Sequence, residues 1–532
     1  MWMRTLLACV GLVVVAFVGG PGSAASPGGP PEPIEVAPGP PAEEDPDEDW
    51  ESLKESDPPI VNLDPDPDAS DADKYNPDDD PDEMSTRGRA ARPTLPYIDR
   101  GLLAPRQSGA GRGSAQIGLA SVGEDFFLEL DLRLRFYLDD AKMWRIAPRL
   151  PLRVRLVDEA PETGDVIRTE DWDEPSDWAR LLQYVQYGRV GDPIFFRYGE
   201  LNGATIGHGS LVNRYSNTID LDHYQGGINT QLDFGLIGGE MLLDNVFDPE
   251  VLVGRVYARP FFGLKRAATP LRLMKFAFTA GADFYAPLEI GATGGGKLFS
   301  HPDWSPVVLA DEVASLFAFD LEVPVLNSKA LDIVPYTDLA TVDGAGFGWH
   351  LGTYIILRAS KAVTWTNRLE YRLLGKGYEP GYVSPFYEVE RFAYRGGETK
   401  LKSLKSGQIA DKHNGFYFET DLRLRPYVRF ALLYSTSGRE RGHDLLLRLR
   451  LTELGPLAVT VFYARLGFDG LDNLHAADQT VWGTTARLNI AELFFVRAGV
   501  TSEWWLKHKA NGGSGFETTV NFDIGAGVII KL

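Results

Sequence analysis

The sequence predicts an all-β fold: a closed antiparallel transmembrane β-barrel of about 20 strands, with 18 as the alternative, behind a disordered acidic Pro-rich tail. Three observations predict it. Apolar and polar residues alternate with period two from the 120s to the last residue. Strand-like segments of about ten residues or more recur over that length with no helical pattern between them. The net charge is −21, from 53 Lys and Arg against 74 Asp and Glu, and nearly all of it sits in one proline-rich stretch ahead of the strands. A mean hydropathy of −0.16 excludes a bundle of transmembrane helices. The acidic balance excludes a nucleic-acid binder that works through a globally basic surface.

Residues 1–25 read as a signal peptide. Arg4 supplies a basic start, residues 6–18 form an apolar run too short to span a bilayer, and Ser23-Ala24-Ala25 offers a small-residue cleavage site. Leu6-Leu7-Ala8-Cys9 resembles a lipoprotein box, but the apolar core follows the cysteine instead of preceding it. Cys9 is the one cysteine, which excludes a disulfide framework and any Cys-rich metal site. Residues 26–95 read as an Asp/Pro-rich linker. Its stretch 26–83 holds 21 acidic side chains and 14 prolines against two bases, Lys54 and Lys74. Like charges repel, and proline joins neither a ladder nor a helix interior, so this stretch is expected to be extended. From residue 84 onward, 53 acidic side chains face 50 basic ones, which leaves the rest nearly neutral. Residues 96–532 are assigned to the barrel, with 96–113 as a possible plug.

The strands follow in order. Leu128, Leu130, Leu132, Leu134 and Phe136 fall on one face and Glu129, Asp131, Arg133 and Arg135 on the other. A helix would scatter those charges around its circumference; a strand segregates them. Leu150, Leu152, Val154 and Leu156 repeat the pattern against Arg149, Arg153 and Arg155. Leu422 and Leu424 stand against Asp421 and Arg423, and Leu445 to Leu451 against Asp444, Arg448 and Arg450. On a strand that precedes these, residues 114–122, Ile117 and Leu119 face outward. Counted back from the C-terminus, the longer connections, near 158–178, 203–218, 284–312, 376–413, 468–478 and 507–514, fall at one end. Short ones such as Gly191-Asp192 and Arg425-Pro426 fall at the other. That asymmetry, with the apolar face toward lipid and the charged face toward a lumen, is the pattern of a membrane barrel; closure follows because hydrocarbon tolerates no open sheet edge. Trp365, Tyr463, Phe494, Phe495, Trp504 and Trp505 lie near strand ends, where ring side chains suit the headgroup zone.

At the C-terminus, Val520, Phe522, Ile524, Ala526, Val528, Ile530 and Leu532 alternate with Asn521, Asp523, Gly525, Gly527, Ile529 and Lys531. This resembles the final strand of Gram-negative outer-membrane porin-like barrels, with Leu532 in place of the usual terminal aromatic. The resemblance is to a class and to no specific family. It implies the outer membrane of a Gram-negative bacterium, contact with outer-membrane lipids, insertion machinery that reads the last strand, and a tail in the periplasm with an unknown partner there.

Motifs that would carry catalysis are weak. Gly291-Ala292-Thr293-Gly294-Gly295-Gly296-Lys297 begins like a phosphate loop, but Leu298 stands where Ser or Thr should bind magnesium. Asp64-Pro65-Asp66-Pro67-Asp68 begins like a calcium loop, but lacks its glycine and its bidentate glutamate. The eight histidines are scattered, with no zinc-binding spacing. No cofactor, metal, nucleic-acid partner or enzymatic activity is expected.

Two candidate sites remain. Residues 199–223, rich in glycine and polar side chains, allow two readings. One is a loop folded into the lumen, in which His208, Asn213, Arg214, Asp220, Asp222 and His223 contact solute. The other is an ordinary external loop whose glycines permit turns. The lumen wall is expected to carry Glu129, Asp131, Arg133, Arg135, Arg149, Arg153, Arg155, Arg368, Glu370, Arg372, Asp421, Arg423, Arg448 and Arg450, with Glu419 and Asp444 beside them. These charges either pair across strands or leave a positive wall. The expected function is a porin-like channel passing small hydrophilic solutes by diffusion, with mild anion preference. The alternatives are a non-conducting structural or binding barrel and a polymer export channel.

Overall fold

The computed structural model describes residues 111–532 apart from 124, 140, 159–163, 173–174, 219–223, 265, 292–305, 361, 395–397, 407–411, 437–441, 469, 471–473, 475–479, 491–492, 510–512 and 532. Twenty strands form one closed antiparallel barrel. They are β1 Gly111–Val122, β2 Asp125–Tyr137, β3 Trp144–Val157, β4 Leu182–Tyr187, β5 Ile194–Gly199, β6 Gly227–Asp233, β7 Ile237–Leu243, β8 Val251–Ala258, β9 Lys275–Ile290 and β10 Val308–Glu322. The series continues with β11 Leu331–Val342, β12 Gly346–Ser360, β13 Val363–Leu374, β14 His413–Leu424, β15 Val428–Thr436, β16 His443–Leu454, β17 Leu457–Phe468, β18 Thr480–Asn489, β19 Phe494–Lys509 and β20 Gly513–Lys531. Each strand pairs with the next, and β1 closes on β20 in a register from Arg112 opposite Lys531 to Ala120 opposite Asp523.

Alternation sets the faces. Ile117, Leu119, Leu130, Leu150, Phe317, Phe319, Leu339, Trp349, Phe522 and Ile524 are exposed on the outside, while Asp131, Arg145, Glu370, Asp421 and Arg448 are buried within. An unbroken apolar exterior over a charged interior is the reverse of a soluble sandwich. Among the described residues no helix is long and apolar enough to cross a membrane.

The structure departs from the sequence reading in several places. The interior is not charged along its whole height. At the end of β7 to β13 nearer the long loops, Leu242, Val251, Val253, Leu316, Ala340, Val342 and Leu374 face inward and are buried in a hydrophobic cluster. Both faces of those strands are apolar there because something covers the inner one. Residues 507–514 are not a long connection but the tip of the β19–β20 hairpin, whose strands run to Lys509 and from Gly513. The 284–312 connection is shorter, since β9 runs to Ile290 and β10 starts at Val308. The connection 259–274 is long yet sits at the short-turn end. Arg259 folds it back under the rim by donating to the Gly235 carbonyl at 2.6 Å and pairing with Asp233. Of the 96–113 plug segment, Gly111 to Gly113 belong to β1, and 96–110 lie outside the described residues, as do the leader and the acidic linker. Among the aromatics, Trp365 and Phe494 are exposed but Phe495 turns inward and is buried, since adjacent strand residues cannot share a face. The side chains of Trp504 and Trp505 lie outside the described residues.

The apolar exterior carries a prediction. Phe317→Arg, at an outward site 43% exposed, should destabilise the lipid-inserted barrel by about 2–4 kcal/mol in urea titrations. A surface position in water would tolerate it at no measurable cost, and that result would contradict a lipid-facing wall.

Candidate functional site

The lumen is occupied by two of the chain's own loops. The connection between β5 and β6 turns inward as a small hairpin, Asn202–Ala204 paired with Tyr215–Ser216, and its tip carries His208 to the inner wall. Gly207 and Gly209 flank that histidine with φ of 60° and 78°, in the left-handed region that favours glycine. At Gly209 a Cβ would also meet Asn213 Oδ1 at 2.6 Å. The glycine density noted in the sequence therefore serves a tight inward tip.

His208 is fully buried and stacks on Tyr336 with ring centroids 4.0 Å apart. Its Nδ1 lies 2.9 Å from Asp338 and its Nε2 3.1 Å from Glu322, with Asp320 3.7 Å away. Burial alone would lower the His208 pKa, but the carboxylates of Asp338, Glu322 and Asp320 outweigh it and raise it. Arg255 donates to both Asp320 oxygens at 2.8 and 2.6 Å and to Glu240 at 2.7 Å; Lys275 pairs with Glu322 at 2.6 Å. His208, Asp320 and Asp338 are close enough to converge on a divalent cation. Arg255 already engages both Asp320 oxygens, and each His208 nitrogen already faces a carboxylate. The donor set therefore suits an ion-pair network better than a metal.

The second loop, 375–412, pairs with the first. Gly381 and Val383 donate backbone N–H groups to the Ser210 and Leu211 carbonyls at 2.8 and 2.9 Å, and Asn213 returns one to Val383 at 3.0 Å. Tyr378 donates to the Ser210 carbonyl at 2.9 Å and faces His350 Nε2 at 2.8 Å. Glu370 anchors that side by accepting from Arg368, Arg372 and Tyr336, with His350 Nδ1 2.9 Å away. One flank of the loop, Tyr378, Tyr382, Tyr387, Leu401 and Leu404, packs with the hairpin against β7 to β13. The other flank, Phe386 and Val389, packs against Tyr417, Leu433, Leu446 and Phe462 on β14 to β17. The loop thus reaches both walls and crosses the lumen. Thr399 caps its helix Lys400–Lys405 by accepting from Lys402 N, and Lys400 pairs with Glu390 at 2.5 Å.

Glu388 lies where the two loops and the wall meet. It accepts from Tyr215 at 2.6 Å and Gln225 at 3.2 Å. Burial pushes its carboxyl up to about 8, the nearby Asp244 adds to the rise, and those hydrogen bonds hold it back. Burial likewise pushes Asp244 up to about 7.

The other sequence candidates fall as follows. Arg214, at φ 59°, ion-pairs with Glu419, and Asn213 donates to Tyr417 at 3.3 Å. Asp220, Asp222 and His223 lie outside the described residues. Arg133 and Arg149 both pair with Asp131. Arg153 joins Arg168 and Arg180 around Asp171, which belongs to the inward-folded connection after β3, and Arg155 pairs with Asp125. Arg423 and Arg429 share Asp421, while Glu129, Arg135, Asp444, Arg448 and Arg450 occupy the same inner face. Many of these pairs run across neighbouring strands, as Arg149 to Asp131, Arg155 to Asp125 and Arg429 to Asp421; others join i and i+2 on one strand or reach the inserted loops. Sequence reasoning missed Asp320, Glu322, Asp338, Arg255, His350, Glu388 and the whole second loop. The signal for that loop was present: 378–394 holds six tyrosine or phenylalanine side chains, at 378, 382, 386, 387, 392 and 394, too apolar for a solvated connection.

No family model matches the sequence, and no curated protein matches it. Solved structures align with it weakly. The siderophore receptor PirA from Acinetobacter baumannii is 7% identical, with 80% of this chain and 81% of that one covered at a TM-score of 0.34. Wzi of Escherichia coli, an outer-membrane protein involved in capsule assembly and described as a carbohydrate-binding β-barrel, is 9% identical, with coverage of 80% and 85% and a TM-score of 0.31. OmpT, an outer-membrane protein of Vibrio cholerae, is 8% identical, with coverage of 79% and 98% and a TM-score of 0.27. Likeness at this level assigns no activity.

Two predictions follow from the loop contacts. Arg214→Gly keeps a residue suited to the local φ but strips the cation from buried Glu419, which should loosen the hairpin by about 3–5 kcal/mol. Proteolysis within 200–216 should accelerate while the β-sheet circular dichroism stays constant. The second concerns pH. Glu388 in the packed loop holds a proton that a released loop gives up between the ordinary 4.5 and about 8. Packing is therefore fully favoured below that window and weakens as pH rises through it. Hydrogen exchange over 387–394, corrected for its intrinsic rate, should rise across that range in the native chain. It should rise less in Glu388→Gln, where Asp244, pushed up to about 7, still titrates across the range.

Proposed function

We propose that the chain is an outer-membrane barrel carrying a channel for small hydrophilic solutes that is shut at rest by its own two loops and opens when they move. The observation that carries this reading is the reach of 375–412 to both walls of the lumen. A barrel of about 20 strands encloses more space than wall side chains fill. An open porin would leave that space to water, whereas here its loop-side half is packed like a protein core. Opening then requires the latches at Glu388, Arg214 and His208 to release. Below the loops the wall is rich in arginine, and low-dielectric walls focus that charge, which supports a mild preference for anions once open.

A non-conducting barrel is the second reading. What favours it is the apolar character of the plug, which makes the loops part of the barrel's own hydrophobic core.

Planar-bilayer recording separates the readings. The native protein should be nearly silent at neutral pH, and removal of 376–412 should give large steady openings whose reversal potential in a salt gradient favours anions. Steady openings of the native protein would overturn the plug. A silent loop-deleted barrel that still migrates as folded would support the scaffold instead.

A further inference from the structure

The barrel wall is not of one height. β4 and β5 have six residues each, β6 and β7 seven and β8 eight, against 14 in β3, 16 in β9 and 15 in β10. Short turns set one membrane face for all the strands, so the shortfall lies at the other end. A strand rising about 3.3 Å per residue and tilted about 40° gains about 2.5 Å of height per residue. β4 to β7 therefore stand about 15–18 Å tall, whereas the apolar band of a membrane barrel is about 25 Å.

Both flanks of the low stretch show the step. β3 pairs with β2 up to Val157 but with β4 only as far as Pro148. Beyond that point its edge is met by the connection that follows it, where Arg155 donates its backbone N–H to the Val166 carbonyl at 2.7 Å. On the other side, β9 pairs with β8 only to Asp283 and runs on to Ile290 beside β10.

Above the low strands the surface is turning backbone instead of sheet. Asn217 donates to the Gln225 and Asp244 carbonyls at 3.0 and 3.1 Å, and Val246 donates its backbone N–H to the Gly226 carbonyl at 2.9 Å. Val246 and Phe247 are exposed on this rim, and the next residue, Asp248, is an exposed carboxylate. Tyr198 stands on the outward face of β5 beside its last residue, Gly199. On the taller β10, outward apolar side chains continue from Phe319 and Phe317 to Val313 before the first outward carboxylate, Asp311. Hydrocarbon accepts neither a carboxylate nor irregular backbone on the lipid side, whereas aromatic rings suit the headgroup zone.

We propose that the bilayer is pinched along this flank. The leaflet on the loop side dips by about 7–10 Å to meet the tops of β4 to β7, the difference between the short wall and the usual band, and its headgroups rest on the loop 244–250. The partner of this surface is thus the lipid itself, thinned where the strands are short. The hairpin that carries His208 springs from β5, so the plug is rooted at the dip. The dip does not depend on whether the barrel conducts.

Fluorophore depth tests this in the full-length protein, with Cys9 replaced, in dioleoylphosphatidylcholine vesicles. Val246 and Leu119 on β1 both stand about 18–20 Å from the short-turn end, and both are exposed. A bimane on Val246→Cys should be quenched several-fold more by a nitroxide on the lipid headgroup than by one within the acyl chain. A bimane on Leu119→Cys should show the opposite preference. In the thinner dilauroylphosphatidylcholine both should be quenched from the headgroup. Phe247→Cys gives the same reading should Val246→Cys fail to fold. Acyl-chain quenching of the Val246 probe equal to that of the Leu119 probe would show hydrocarbon at full thickness over the loops, and would overturn the proposal. Quenching of the Val246 and Phe247 probes by neither nitroxide would overturn it as well, and crosslinks between chains at these positions would assign the flank to a second copy.

Discussion

Closure of β1 onto β20 is the constraint from which the rest of the structure follows. In hydrocarbon an unpaired backbone N–H or C=O has no water to turn to, so a sheet with an apolar exterior must close. Closing it with 20 strands encloses a lumen that its own side chains cannot fill. That space must hold water or chain. Here much of it holds chain, and the inward positions of β7 to β13 are apolar because they form the wall of a packed core.

Packing two loops into a lumen buries backbone and charge, and each needs a partner. The loops satisfy part of the backbone requirement by pairing with each other through Ser210, Leu211 and Val383. The charges are met by specific opposites: Arg255 on Asp320 and Glu240, Arg368 and Arg372 on Glu370, Arg391 on Asp283. Buried pairs of this kind add little net stability compared with apolar packing, but losing one partner is costly. They suit a plug that holds one position firmly and leaves it as a unit. His208 illustrates this, since its place among Asp338, Glu322 and Asp320 is set by a hairpin tip that only glycines allow.

The sequence revealed the barrel because alternation in a strand is local: Leu128 to Phe136 separates lipid from lumen without reference to any other segment. It also marked residues 199–214 as unusual through their glycines. It could not show what Asp320, Asp338 or Glu370 face, since a charged inward position reads the same whether it meets water or a buried histidine. Nor did loop length reveal that 375–412 folds inward. Long connections are expected to stand outside a membrane barrel, and only the tyrosines at 378, 382 and 387, later found buried, argued otherwise. The arginine wall was legible as residues but not as pairs, because Asp171 reaches Arg153 from a loop.

The central claim is that the loop-side lumen is packed rather than wet, and cysteine accessibility tests it most directly. Ala340 faces inward from β11 and is 1% exposed beneath the loops. With Cys9 replaced, Ala340→Cys in intact outer membranes should resist a membrane-impermeant thiol reagent, and should react once 376–412 is removed. Labelling of the loop-intact protein as fast as that of a cysteine placed at Arg133, 17% of whose side chain is open, would contradict the account.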